Sequence, residues 1–262
     1  MAGRGVGSLM FSWCAYCQKF MGEKSPYDQH LLTHGICDAC FNLVEDPSFG
    51  PDLKAQEIFS SLFSRSGRLQ RVEYQSFLEE GRKAGILQSD LLVGILQPAL
   101  YEVGALWESG RLSVSEEHAF SAWCAEVLSH VSIPSHGPPR AILFPAPDNF
   151  HVLGLEFLSA WLKERGVPNL VLGPEVSTEQ RLERCWETRP RMVGVSLALP
   201  ETISATFKWA QGLQDRLPPG TRMCLGGRAL RGIENPPEGL TICTELEQFR
   251  QMALAPVTTA AQ

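Results

Sequence analysis

The chain has 262 residues, a formal net charge of −6, 44% apolar residues and eight cysteines. That is enough apolar material for one large or two moderate buried cores, and the acid excess excludes any overall attraction to phosphate. No apolar run approaches the roughly 20 residues of a membrane-spanning helix, and Met1 to Met10 lacks a basic start followed by an apolar stretch, so a cytoplasmic protein with no membrane attachment is expected.

In chain order, the first feature is a pair of Cys-x-x-Cys motifs, Cys14/Cys17 and Cys37/Cys40, with 19 residues between them. Each pair makes a tight knuckle, and two knuckles at this spacing suit a tetrahedral four-thiolate zinc site; a redox pair or an iron–sulfur site is the alternative. Residues 1–48 are too few to fold on a core of their own, so metal binding is expected to supply the stability of this module. His30 and His34 are read as surface or outer groups, since four thiolates already fill the site. Three cations (Arg4, Lys19, Lys24) stand against five acids (Glu23, Asp28, Asp38, Glu45, Asp46) in this segment. The balance argues against nucleic-acid binding, which needs clustered cations, and for contact with a protein or a second copy. The other cysteines, Cys124, Cys185, Cys224 and Cys243, stand singly in apolar or helical surroundings and read as small buried hydrophobes.

Pro47-Ser48-Phe49-Gly50-Pro51 is a turn-rich break, and a helical block occupies residues 52–132. Its periodicity predicts helices over Leu53 to Phe63, Val72 to Ala84, Asp90 to Trp107 and Val114 to Val131, which make a small bundle. In the third, Leu92, Leu96, Leu100, Val103 and Trp107 form one apolar stripe, and Pro98 predicts a kink or a division. The segment Ile133 to Pro139 holds three prolines and a glycine and reads as a linker. Residues 139–252 then alternate short apolar runs with helical patterns: strands at Ala141 to Phe144, Leu170 to Leu172, Met192 to Leu197 and Met223 to Leu225, with helices at Val152 to Arg165, near Glu179 to Glu187 and near Thr202 to Leu217. The fold class expected is α/β, a doubly wound parallel sheet whose ligand lies beyond the carboxyl ends of the strands. His151, Ser196 and Gly226 fall on that edge. Residues 253–262 read as a flexible tail.

Several residues on this edge stand at telling intervals. Asn149-Phe150-His151-Val152-Leu153-Gly154 is followed, with 41 residues between, by Ser196-Leu197-Ala198 and, with a further 27 between, by Gly226-Gly227. This set resembles the cobalamin-binding Rossmann-type domain, with its acidic residue, x, His, x, x, Gly, then Ser-x-Leu, then Gly-Gly. The resemblance implies that His151 supplies cobalt with an imidazole nitrogen from below, displacing the cofactor's own base. It also implies that Gly154 lets the backbone approach the corrin, that Ser196 hydrogen-bonds the displaced base, and that Gly226 and Gly227 leave room for the nucleotide tail. The chain departs from the pattern at Asn149, which stands where the family has an acid. An amide oxygen there accepts the imidazole N–H but cannot share its proton, so a weaker push onto cobalt is expected, or Asp148 in its place. It departs again at Ala198, where the pattern has leucine.

The helical block extends the resemblance. Gln97 to Gly110, with Trp107 separated by nine residues from Glu117-His118, resembles the helical cap that covers the upper face of cobalamin, and in particular that of light-sensing cobalamin regulators. Trp107 then packs over the upper ligand, with Glu117 and His118 close to it. Some of those photoreceptors carry a histidine directly after the tryptophan that takes the cobalt after photolysis; this chain has Glu108 there. The module around Trp13-Cys14 and Ile36-Cys37 resembles small cysteine modules appended to bacterial signalling proteins. The implied function is a non-enzymatic sensor that binds adenosylcobalamin or methylcobalamin, signals to a partner such as a transcription factor, and forms a possible homo-oligomer. The alternatives are the corrinoid carrier of a methyltransferase system and a haem-binding sensor in the same architecture.

Overall fold

The computed structural model describes residues 10–24, 31–43, 51–63, 72–233 and 235–255. The chain divides into two compact units, Met1–Ser132 and Ile133–Gln262. Among the described residues no helix is long and apolar enough to cross a membrane.

The first unit begins with three strands, β1 (Met10–Cys14), β2 (Phe20–Lys24) and β3 (Leu31–Gly35), in the order β2-β1-β3. β1 runs antiparallel to β2 and parallel to β3. The four-residue helix α1 (Asp38–Phe41) follows. Then come α2 (Lys54–Ser61), α3 (Tyr74–Lys83), α4 (Gln88–Leu91), a π-helical turn over Leu92–Leu96, α5 (Gln97–Glu108) and α6 (Val114–Ser129).

The break expected near residue 48 is not a break in packing, because the cysteine module and the helices share one core. Phe11 and Trp13 are fully buried, and Trp13 reaches the π-helical turn. Pro98 has no N–H to return to the carbonyl four residues before it, that of Gly94. The Trp13 indole donates to that carbonyl instead, at 3.2 Å. Gly94 makes the approach possible: a Cβ there would overlap the Trp13 ring and come within 2.8 Å of Phe20. Gln18, buried and held at φ 55°, closes the junction from the other side. Its amide donates to the Asp52 carbonyl at 2.7 Å and accepts the Ala55 N–H at 3.1 Å, which satisfies an otherwise orphaned donor in the first turn of α2. The module therefore draws stability from the helices as well as from its own thiols.

The π-helical turn is where the chain resolves the conflict that Pro98 sets up. The lengthened turn ends with the Gln97 N–H on the Leu92 carbonyl, and α5 restarts with Pro98 at its amino end, where a missing N–H costs least. The buried residues along this stretch include Leu92, Leu96, Ala99, Val103 and Leu106. Trp107, read from periodicity as part of the stripe, lies one residue further on, about 100° around the helix, and is 46% exposed.

The second unit is a four-stranded parallel sheet in the order β5-β4-β6-β7, made of β4 (Ala141–Pro145), β5 (Asn169–Val171), β6 (Met192–Ser196) and β7 (Arg222–Gly226). The connecting helices are α7 (Leu153–Glu164), α8 (Thr178–Thr188) and α9 (Ile203–Gln214). The order steps one way from β4 to β5 and the other way from β4 to β6, so the crevice between the carboxyl ends of β4 and β6 is the topological switch point. This is the doubly wound parallel sheet read from the sequence. Ile142, Phe144, Val193, Val195 and Leu225 join one apolar cluster with Leu182, Ala210 and Leu213 of the helices.

Ala253 and Leu254, expected to open a flexible tail, are helical. Leu246–Leu254 forms α10, with Phe249 and Ala253 buried. Phe249 presses on Gly194 of β6, where a Cβ would come within 2.9 Å of its ring. Arg191 donates to the carbonyls of Leu254 and Ala255 at 2.8 and 3.0 Å, satisfying acceptors that the end of a helix leaves free. Residues 256–262 lie outside the described residues.

Candidate functional site

In the second unit, the loop that leaves β4 carries the histidine. Ala146 N–H donates to the Ser196 carbonyl at 2.9 Å, which joins the ends of β4 and β6. Asn149 is 1% exposed; its amide donates to the same Ser196 carbonyl at 2.9 Å and its oxygen accepts the main-chain N–H of His151 at 3.2 Å. The Asn149 oxygen thus holds the backbone of His151. An amide suits the position because it must donate and accept at once, which a carboxylate cannot do. Asp148 sits beside it in the left-handed region, at φ 59°. His151 and its neighbour Phe150 are exposed, Phe150 at 74%. The structure thus brings His151, Asn149 and Ser196 together at the switch point.

The three glycines differ in what they do. A Cβ on Gly154 would meet nothing within 4 Å, so the surface there is open to an approaching group. Gly226 and Gly227 are needed by the protein itself. A Cβ on Gly226 would come within 2.8 Å of the Cys243 carbonyl, and one on Gly227, at φ 105°, would land on the backbone of Leu197. The pair closes the carboxyl edge of β7 against its neighbours, which is reason enough for glycine whether or not a cofactor tail lies alongside.

Sequence reasoning missed Arg181, because a single arginine in an amphipathic helix reads as solvated. It is 4% exposed, donates to the carbonyls of Pro145 and Gly173 at 2.9 and 3.1 Å, and lies over the Phe144 ring. Burial pulls its guanidinium below its ordinary range. Its work is to tie the end of β4 to the loop after β5.

In the first unit, Trp107 occupies the last turn of α5 and Glu117 and His118 the beginning of α6. A short connection with Gly110 at φ 71° brings them to the same end of the helical hairpin. Ser113 caps α6 in a reciprocal capping box with Glu116, which leaves Glu117 to a different partner. Its carboxylate accepts from Ser121 at 2.7 Å and meets the His118 imidazole at 2.5 Å.

The four cysteines of the same unit converge. Cys14 ends β1, Cys17 lies in the turn after it, Cys37 caps α1 and Cys40 lies within α1. All four sulfur atoms lie within 4.8 Å of one another, and Cys17 and Cys37 are 3.7 Å apart. Tetrahedral ligation with Zn–S of about 2.3 Å separates sulfurs by about 3.8 Å, so the donor set and its spacing fit zinc. Burial acts to raise the Cys14 thiol, but N–H donation from Cys17, Cys37 and Tyr16 outweighs it and brings the thiol down to about 6. Burial and the neighbouring sulfurs push Cys40 the other way. His34, expected at the surface, is partly buried, with its Nε2 enclosed and without a partner among the described residues; burial lowers its imidazole. His30 lies outside the described residues.

These observations define a class of protein: a doubly wound parallel α/β domain with a histidine at its switch point, preceded by a helical domain and a four-cysteine cluster. Residues 67–132 match the family described as B12 binding domain. In sequence, the chain is 30% identical over 150 residues to the HTH-type transcriptional repressor CarH of Myxococcus xanthus, covering 56% of this chain and 50% of that protein. The chain thus spans about half the length of that relative. In fold, it is similar to the monomethylamine corrinoid protein of Methanosarcina barkeri, with a TM-score of 0.51, 18% identity, and coverage of 68% of this chain and 88% of that one.

Proposed function

We propose that the protein is a cobalamin-binding sensor that responds to light and signals to a partner protein, and that it catalyses no reaction of its own. One observation carries this reading: His151 stands exposed at the topological switch point, on a loop whose backbone Asn149 pins to the end of β6. An imidazole held by its main chain, with its ring left to the solvent, is prepared for an incoming metal. In this reading His151 would hold cobalt through its imidazole and Gly154 would leave room for the corrin, while Trp107, Glu117 and His118 would be the helical unit's own contribution to holding the cofactor. Support for the cap comes from the B12 binding domain match, which spans those last three residues. Support for a regulatory role comes from the likeness to a protein named as a transcriptional repressor.

Bound adenosylcobalamin or methylcobalamin would supply a cobalt–carbon bond that green light cleaves. The chain's part would be to couple cleavage of that bond, through Trp107, to a change in the surface of the helical unit. Zinc on Cys14, Cys17, Cys37 and Cys40 would hold the module as a rigid platform for a protein partner, such as a transcription factor, or for a second copy. A cytoplasmic address accords with this role.

The test is size-exclusion chromatography of protein loaded with adenosylcobalamin, in the dark and after green light. A change of elution volume on illumination is expected. Methyl transfer from bound methylcobalamin to a methyltransferase partner, with no response to light, would make the protein a corrinoid carrier; a Soret band in place of corrin absorbance would make it a haem sensor.

A further inference from the structure

At the amino ends of β4 and β6, the edge of the sheet opposite His151, the second unit holds a cavity of about 450 Å³. Arg140, Arg189, Arg191 and His136 line it, with Pro138 and Pro168 among its walls, and among the described residues no acid does. Arg140 directly precedes β4 and Arg191 directly precedes β6. The register Ala141↔Met192, carried back one residue, sets the two side by side, and the Arg191 N–H donates to the Arg140 carbonyl at 2.8 Å. Adjacent strands lie about 4.8 Å apart, and like charges at facing positions destabilise the pair. Arg191 commits Nη1 to the carbonyls of Leu254 and Ala255, which leaves the rest of its guanidinium for another partner.

Arg189 closes α8 in the left-handed region, at φ 47°, where helices commonly end on glycine. Its N–H donates to the Cys185 carbonyl at 2.8 Å, a bond that glycine would make as well. What arginine adds there is its side chain. Among the described residues the side chains of Arg140 and Arg189 make no hydrogen bond or ion pair. Elsewhere in the unit arginines are answered by acids: Arg184 by Glu187, Arg216 by Glu179 and Arg250 by Glu247. Cations gathered without an acid, one of them on backbone that disfavours a side chain, do not serve the stability of the fold.

We propose that this cavity binds a small ligand through its phosphate group. Guanidinium forks present paired N–H donors that match phosphate oxygens, the volume is that of a small-molecule pocket, and the rigid proline rings offer an apolar wall to the rest of the ligand. A nucleic-acid duplex fits less well, since a chain of net charge −6 repels an extended polyanion while screening leaves capture of one or two phosphates to the arginines at short range. The site lies at the other end of the strands from His151, so it stands whether or not a corrinoid binds.

The test is calorimetric titration of corrinoid-free, full-length protein with ADP and with inorganic pyrophosphate, adenosine serving as the phosphate-free control. Saturable binding of the phosphates and none of adenosine is expected. Tighter binding of ADP than of pyrophosphate would identify a nucleotide as the source of the phosphate, and the reverse order an inorganic polyphosphate. Arg140→Gln and Arg189→Gly should each weaken binding at least tenfold, and Arg184→Gln, on the same helix but outside the cavity, less than twofold. Arg189→Gly should also melt at the same or a higher temperature than the wild type, because glycine adopts the left-handed conformation freely, so its loss of affinity cannot come from misfolding. Failure of the wild type to bind either phosphate at millimolar concentration, equal binding by the Arg140 and Arg189 variants, or a DNA duplex that displaces pyrophosphate at lower concentration than ADP does would overturn the proposal.

Discussion

Replacing Gly227 with valine is expected to destabilise the second unit by about 4 kcal/mol. A left-handed φ costs a β-branched residue on the order of 1–3 kcal/mol, and forcing atoms into filled space adds about 1–3 kcal/mol. The added Cβ would stand on the nitrogen, carbonyl carbon and oxygen of Leu197. That backbone is fixed on both sides, by the Leu197 N–H on the Gly226 carbonyl at 2.9 Å and by the Ala229 N–H on the Leu197 carbonyl at 3.2 Å, so it cannot give way as a side chain would. Urea denaturation followed by circular dichroism measures the loss; a shift below about 1 kcal/mol would show that the edge of β7 is free to move. Gly154→Ala is the contrast. It faces open space near the start of α7, where alanine is the better helix former by up to about 1 kcal/mol, so stability should hold or rise. Only corrinoid affinity should fall.

The second large effect is expected at Trp13. Truncation to alanine removes a fully buried indole, a change that costs about 3–5 kcal/mol, and strands the Gly94 carbonyl that Pro98 cannot serve. Because Cys14 is its chain neighbour, the same change should loosen the thiolate cluster. Zinc release to a chromogenic chelator is expected to be at least tenfold faster in Trp13→Ala than in the wild type. Trp13→Phe, which keeps the ring and loses the N–H, should cost about 1–2 kcal/mol and leave zinc release close to that of the wild type. Equal zinc release in Trp13→Ala and wild type would mean that the thiolates hold the module alone.

What the sequence made legible follows from how local each signal is. The alternation of apolar runs and amphipathic helices from Ala141 onward depends on neighbours within a few residues, and it located the parallel sheet and the loop of His151. The three-stranded sheet of the module was not legible, because β3 pairs with β1 although β2 lies between them in the sequence, and a five-residue stretch such as Met10–Cys14 carries no period of its own. Trp107 joined the apolar stripe on periodicity alone; the actual buried position is Leu106, and the exposed indole became visible only with the helix in place. The bond from the His151 main chain to Asn149 was not legible, since spacing identifies a residue without saying which of its atoms is used. Gly226 and Gly227 were read from their likeness to a binding motif, and their structural cause, the crowding by Cys243 and Leu197, lies in segments far along the chain.

The most direct measurement is the absorbance spectrum of adenosylcobalamin added to wild-type protein and to His151→Ala in the dark. Wild-type protein should bind the cofactor in a defined ratio and shift its spectrum as the imidazole replaces the cofactor's own base. The variant should bind more weakly, without that shift. A wild-type protein that stays colourless with every corrinoid tested, or a variant whose spectrum matches the wild type, would contradict cobalt ligation by His151.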